Sequence, residues 1–313
     1  MEKDCVHVFA PATVANIVCG FDVLGFALDE PGDEVTLRRT DKTGVHLVNI
    51  TGDGGRLPRE AEKNTVSASV MTFLKHIGRT GIGVEIELHK QMPVGSGLGS
   101  SAASTVAGLF AINTLLGSPL SRRDLLPFAI QGEALACGHG HADNVAPALL
   151  GGITLVRSYE PLDVIALPAP QSLYAAVVFP HVDVPTRDAR QMIRTKVSLK
   201  EAVVQWGNIA GLVSGLFTAD YDLIGRSMHD VLIEPTRAIL IPEFYEMRKL
   251  AMDAGALGFG ISGSGPSVFA FVQSRETAAR ITSAIQSHLM QQGIESNGYV
   301  SGINLEGPRE VNS

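Results

Sequence analysis

Three glycines and three serines fall within residues 93–101, in the order Pro-Val-Gly-Ser-Gly-Leu-Gly-Ser-Ser. Glycine lets a backbone approach a ligand closely, and the free N–H groups at a helix N-terminus attract anions, so this composition ahead of a helix describes a phosphate cradle. It is not a P-loop, because the Gly-Lys-[Ser/Thr] ending is missing. The spacing of Gly95, Gly97 and Gly99 also departs from the dinucleotide-binding Gly-x-Gly-x-x-Gly. Taken alone, the segment has a second reading, a flexible loop before a buried helix. Ser100 and Ser101 lie in no Gly-x-Ser-x-Gly elbow, which favours phosphate or metal binding over a nucleophile's role.

Other polar residues are ambiguous one at a time. Glu133 stands among Gly132, Ala134 and Ala136, small enough for a ligand to come close, yet a helix glutamate is usually a solvated one. His141 precedes Asp143 by two residues, a pair that only geometry can make a dyad; it is read as a pocket residue or a structural one. Arg190 and Arg237 are by default surface ion-pair partners, and Asn16 and Asp22 turn residues.

The elements that must position these groups are legible in outline. Alternating apolar residues at 35–38, 45–48 and 84–89 predict half-buried strands, the last running straight into Pro93. Residues 101–116 read as a helix closed by Gly117 and Pro119, and 121–137 as a second helix with Ser121 as N-cap and Asp124 in its first turn. The local order is strand, glycine loop, helix. A strand is expected at 149–156, followed by Pro161, Pro168 and Pro170, which place a boundary near residue 165 and give modules 1–165 and 166–313. The second module reads as strand 173–179, helices 199–217, 221–232 and 242–254, strands 257–261 and 267–272, helix 275–292 and strand 299–303. That interleaving is α+β.

At 313 residues, 45% hydrophobic and 18% charged, the chain is an ordinary globular one long enough for two modules and a cleft between them. A net charge of −7 without a basic run argues against a nucleic-acid partner. Three cysteines without metal-ligand spacing argue against a disulfide framework or zinc. With no leader at the start and apolar runs such as 173–179 far below the ~18 residues of a membrane span, a cytoplasmic protein without a membrane partner is expected.

The glycine segment, read as Pro-x-x-x-Gly-Leu-Gly-Ser-Ser-Ala-Ala, resembles the central motif of the GHMP kinase superfamily, and two further motifs agree in order. Residues 10–25, Ala-Pro-Ala-Thr-Val-Ala-Asn-Ile-Val-Cys-Gly-Phe-Asp-Val-Leu-Gly, resemble its opening motif in the homoserine kinase form. Residues 258–267, Gly-Phe-Gly-Ile-Ser-Gly-Ser-Gly-Pro-Ser, resemble its third, glycine-rich motif. Cys19 departs from the usual proline, a change of loop stiffness rather than of chemistry. Glu133 followed by His-Ala-Asp-Asn-Val-Ala-Pro-Ala at 141–148 is similar to the homoserine kinases, where mevalonate and galactose kinases bring a catalytic aspartate. Thr-Arg-Asp-Ala-Arg at 186–190 and Glu-Pro-Thr-Arg at 234–237 are similar to their substrate segments.

The resemblance implies a fold of a ribosomal protein S5 domain 2-like module joined to a ferredoxin-like one, with ATP in the cleft. It implies ATP binding by Pro93, Gly95, Ser96, Gly97, Leu98, Gly99, Ser100, Ser101 and Ala102, and Mg²⁺ held by Ser101 and Glu133. It implies an L-homoserine site of Asn16, Asp22, His141, Asn144, Thr186, Arg190 and Arg237, the arginines taking the carboxylate and Asp22 the ammonium. Guanidinium forks suit a carboxylate better than a sugar hydroxyl. Asn144, an amide that cannot accept a proton, would orient the acceptor hydroxyl, whose proton goes to the phosphate, with Glu133 and Ser101 completing the catalytic set. The product would be O-phospho-L-homoserine, on the route to threonine. The superfamily often forms dimers, which makes a homodimer the prior. The alternatives are another GHMP kinase with a different small acceptor and a non-catalytic ATP or metabolite sensor on the same fold.

Overall fold

The computed structural model describes residues 2–137, 140–184 and 186–311. Period-2 alternation builds its first sheet. β1 (Cys5–Ala15) pairs antiparallel with the long β2 (Leu24–Thr40), placing Val8 opposite Val35. β3 (Gly44–Thr51) crosses over through α1 (Thr65–His76) to the parallel β4 (Gly83–His89), which also pairs antiparallel with β2, Leu37 opposite Ile86. The inward residues Val35, Leu37, Val84, Ile86 and Leu88 are buried, as side chains on one face of a pleated strand must be.

α2 (Ser100–Leu115) follows the glycine loop, starting and ending one residue earlier than expected. Small and apolar all round, it has to be buried, and it packs between β1–β2 and three helices: α1, α3 (Arg122–Cys137) and α4 (Ala142–Leu150). Ser121 caps α3, its Oγ accepting the Asp124 N–H at 3.3 Å. Leu149 and Leu150, expected in a strand, close α4 instead. The strand is β5 (Ile153–Tyr159), paired with β2 and with β6 (Leu162–Leu167). A cut at residue 165 would divide β6, so we propose the module division within 168–173.

The second module runs β7 (Tyr174–Pro180), α5 (Thr186–Gln191), α6 (Leu199–Thr218), α7 (Tyr221–Ser227), α8 (Glu234–Arg237), α9 (Phe244–Asp253), β8 (Gly258–Ile261), β9 (Val268–Val272), α10 (Arg275–Gln291) and β10 (Ser296–Ser301). Among the described residues its sheet has the antiparallel order β10-β7-β9-β8, the split arrangement of a ferredoxin-like module. α7 stops short of the expected Leu232 because the Asp230 carboxylate accepts the N–H groups of Leu232 (2.8 Å) and Glu234 (2.8 Å), turning the chain into α8.

The chain then returns to the first sheet, where β11 (Arg309–Glu310) pairs with β1. Phe26 on β2 packs its ring 5.7 Å from Phe269 and 4.9 Å from Phe271 on β9, so one apolar cluster spans both modules.

Candidate active site

A cleft of about 450 Å³ opens where the glycine loop, the loop after β1, α3, α4, α5 and α8 converge. The loop after β1 is strained. Asn16 (φ 75°), Ile17 (39°), Val18 (61°) and Asp22 (58°) all lie in the left-handed region, which β-branched residues avoid. Burial of Ile17 and Val18 holds this conformation, together with a hydrogen bond from Gln205 Nε2 to the Cys19 carbonyl (2.7 Å). Asn16 Oδ1 accepts the Asp22 N–H (3.0 Å), and its Nδ2 donates to the Gly263 carbonyl (2.8 Å). Cys19 is an inert thiol here, pushed up to about 12 by burial.

At the glycine-loop end of the cleft, a Cβ on Gly97 (φ 78°) would lie 2.6 Å from the Gly265 carbonyl oxygen. One on Gly99 (φ 63°) would lie 2.0 Å from Thr13 Oγ1. Only glycine lets the third motif close over the loop, where Ser262 Oγ donates to the Gly97 carbonyl (2.8 Å). Gly95, Ser96, Ser100 and Ser101 also line the cleft. Leu98 and Ala102 turn their side chains into the core, leaving only their backbone for a ligand, and Pro93 enters the loop without lining the cleft.

Glu133, 6% exposed, lines the cleft from α3 along with Ser101. Ser101 Oγ is buried and has no hydrogen-bond partner among the described residues. A hydroxyl and a carboxylate are the hard oxygen donors that Mg²⁺ takes, so these residues fit the ion.

At the other end of the cleft, Arg190 Nη2 pairs with Asp22 Oδ2 at 2.9 Å, and its Nη1 lies 3.2 Å from His141 Nε2. Arg237 is 4% exposed; Nη1 donates to the Gly263 carbonyl (2.9 Å), and its guanidinium lies 5.0 Å above the Phe21 ring. Burial pulls its pKa below the ordinary arginine value, opposed by the Asp22 charge. Asn144 Oδ1 accepts from Thr13 Oγ1 (2.8 Å), so the amide keeps its NH₂ for another partner. Thr186 begins α5, but its side chain lies outside the described residues.

Sequence reasoning left Thr13 and Lys90 without a role, and weighed Asp143 only as a dyad neighbour of His141 or a competing base. Thr13, which orients Asn144, carries no signal beyond its motif. Asp143 is buried with Oδ1 unpartnered among the described residues; burial, then the Asp22 charge, pushes its carboxyl up to about 7. Lys90 sits buried beside Asp33 in the cleft wall. Its signal was available, since 90 continues the inward positions 84, 86 and 88.

Residues 64–152 match the GHMP kinases N terminal domain and residues 212–290 the GHMP kinases C terminal domain. The homoserine kinase of Chlorobium phaeobacteroides (strain BS1) is 49% identical over 315 residues, covering 97% of this chain and 98% of that protein. That of Xylella fastidiosa (strain M12) is 38% identical, covering 96% and 92%. The crystal structure of homoserine kinase from Cytophaga hutchinsonii is similar at a TM-score of 0.97 with 58% identity, covering 99% of this chain and 98% of that one. The crystal structure of L. major mevalonate kinase, at 17% identity and a TM-score of 0.73 over 97% of this chain and 99% of that one, shares the fold. With both halves matched and near-complete relatives well above 30% identity, the chain belongs to the GHMP kinases and, within them, to the homoserine kinases.

Proposed function

We propose that the protein transfers the γ-phosphoryl group of ATP to the side-chain hydroxyl of L-homoserine, giving O-phospho-L-homoserine and ADP on the route to threonine. The observation that carries this reading is one cleft holding a glycine cradle at one end and the Asp22–Arg190–Arg237 set at the other. Phosphoryl transfer is largely positioning and charge stabilisation, which such a layout supplies.

The Asp22–Arg190 ion pair at 2.9 Å has a direct use in this reading. A zwitterionic amino acid entering between them exchanges one ion pair for two, its ammonium facing Asp22 and its carboxylate facing Arg190 and Arg237. The side-chain hydroxyl then points toward the glycine loop, where the Asn144 NH₂ orients it. Its proton passes to the phosphate, with no side chain acting as base. Ser101 and Glu133 would hold Mg²⁺, which when bound offsets charge on the phosphates. A cytoplasmic location and a homodimer belong to the same proposal; the free thiols of Cys5 and Cys19 suit the first.

The test is ADP release by the purified protein with Mg²⁺ and ATP, with and without L-homoserine. Release that depends on homoserine, and not on mevalonate or galactose, is expected. Release indifferent to homoserine would leave another acceptor, and ATP binding without release a sensor.

A further inference from the structure

One buried carboxylate grips both ends of the glycine loop. Asp33 Oδ1 accepts the backbone N–H groups of Gln91 (3.1 Å) and Met92 (3.3 Å), the residues that lead into the loop. Its Oδ2 accepts the Lys90 ammonium and the Ser104 hydroxyl (2.7 Å). Lys90 Nζ continues to the carbonyl of Ser100 (2.8 Å), the first residue of α2, and to Ser104 Oγ (2.7 Å). All three ammonium protons are thereby used, and the exit of the loop is tied to its entrance.

The pair is placed by register. Glu34 lies opposite His89 on β2 and β4, so Asp33 and Lys90 occupy the next inward position, beyond Val35 and Leu88. Their side chains are 0% and 2% exposed. A buried ion pair seldom adds stability over apolar residues of similar volume, and the neighbouring inward positions are apolar. Stability therefore gives no reason for charge at this point, whereas the loop does: its N–H groups can face a phosphate only if its two ends keep a fixed separation.

We infer that Asp33, Lys90 and Ser104 are positioning residues that hold the phosphate loop open at a set width without themselves touching the acceptor. The inference rests on the kinase reading above. Single changes strand a buried charge and so destabilise the fold. The informative variant is Asp33→Asn/Lys90→Met, which removes both charges, keeps an acceptor for Gln91 and Met92, and releases Ser100. Its melting temperature is expected near the parent's. Calorimetric affinity for Mg-ATP should fall about tenfold or more, ~1.4 kcal/mol, while adenosine affinity and the KM for homoserine stay within about twofold. Ser104→Ala, which cuts one link of the clamp, should raise the KM for ATP about threefold, in line with one neutral hydrogen bond. A folded double variant with parental ATP affinity and kcat, or Ser104→Ala with an unchanged KM for ATP, would overturn the inference. If the parent binds ATP but releases no ADP with homoserine, the proposed function fails, and the contrast between ATP and adenosine still tests the clamp.

Discussion

Arg237 and Asp143 show how burial turns ordinary side chains into specific ones. Arg237 donates Nη1–H to the Gly263 carbonyl and Nε–H to the Ala189 carbonyl (3.4 Å) and lies over Phe21, so its guanidinium is fixed before any ligand arrives. Truncating one member of a desolvated charge pair costs ~2–5 kcal/mol, about thirtyfold to several thousandfold at ~1.4 kcal/mol per decade. Arg237→Leu should therefore lower kcat/KM for homoserine by that factor with ATP affinity nearly unchanged; steady-state kinetics on both substrates checks this. Asp143 differs in kind. Its folded-state pKa of about 7 is raised from an ordinary 3.8. The native state thus binds the extra proton, and this group's contribution is fully present below about pH 4 and lost as pH rises through about 7. The three-unit difference bounds the contribution at ~4 kcal/mol. Asp143→Asn should flatten that part of the stability profile, measured as unfolding midpoints between about pH 4 and 8 in metal-free buffer. On the proposed route, in which the hydroxyl proton passes to the phosphate, the same variant should keep kcat within about tenfold. Loss of turnover with folding and substrate binding intact would make Asp143 the base.

Among the elements, the glycine loop depends most on its neighbours. Its conformation is set by Thr13 and Asn144 on one side and by Ser262 and Gly265 on the other, none of them near it in sequence. Gly99→Ala puts a methyl against Thr13 Oγ1 and Asn144 Oδ1 and forces alanine into φ 63°. A displacement of the loop by about 1 Å can cost on the order of a hundredfold in rate. A drop of that size in kcat, with an unchanged far-UV circular dichroism spectrum, is the expected result. A variant of normal activity would show that the loop yields freely.

At the scale of the molecule, the two modules are not separable. Phe26 of the first sheet packs at a tilt against Phe269 and Phe271 of the second, and residues 309–310 return to pair with β1. Calorimetry should therefore show one cooperative transition, and Phe26→Ala should lower stability by ~3–5 kcal/mol while keeping that transition single. A fragment of residues 166–313 should not hold its fold alone. Two resolved transitions would separate the modules after all.

The strands at β2 and β4, the helices α2, α3 and α6, and the glycine loop ahead of α2 were all readable in the sequence, because periodicity, caps and glycine content are local properties of the chain. α4 was not, nor the break between it and β5: the apolar run 149–156 gives no sign of where helix yields to strand. The motifs located Asn16, Asp22, Arg190 and Arg237, but only the fold paired Asp22 with Arg190 and set Arg237 over Phe21. Asp33 and Lys90, 57 residues apart, drew no reading from the sequence, although Lys90 continues the inward alternation of its strand. Strand register put them face to face in the core, and no spacing along the chain can encode a register that hydrogen bonding between two strands decides.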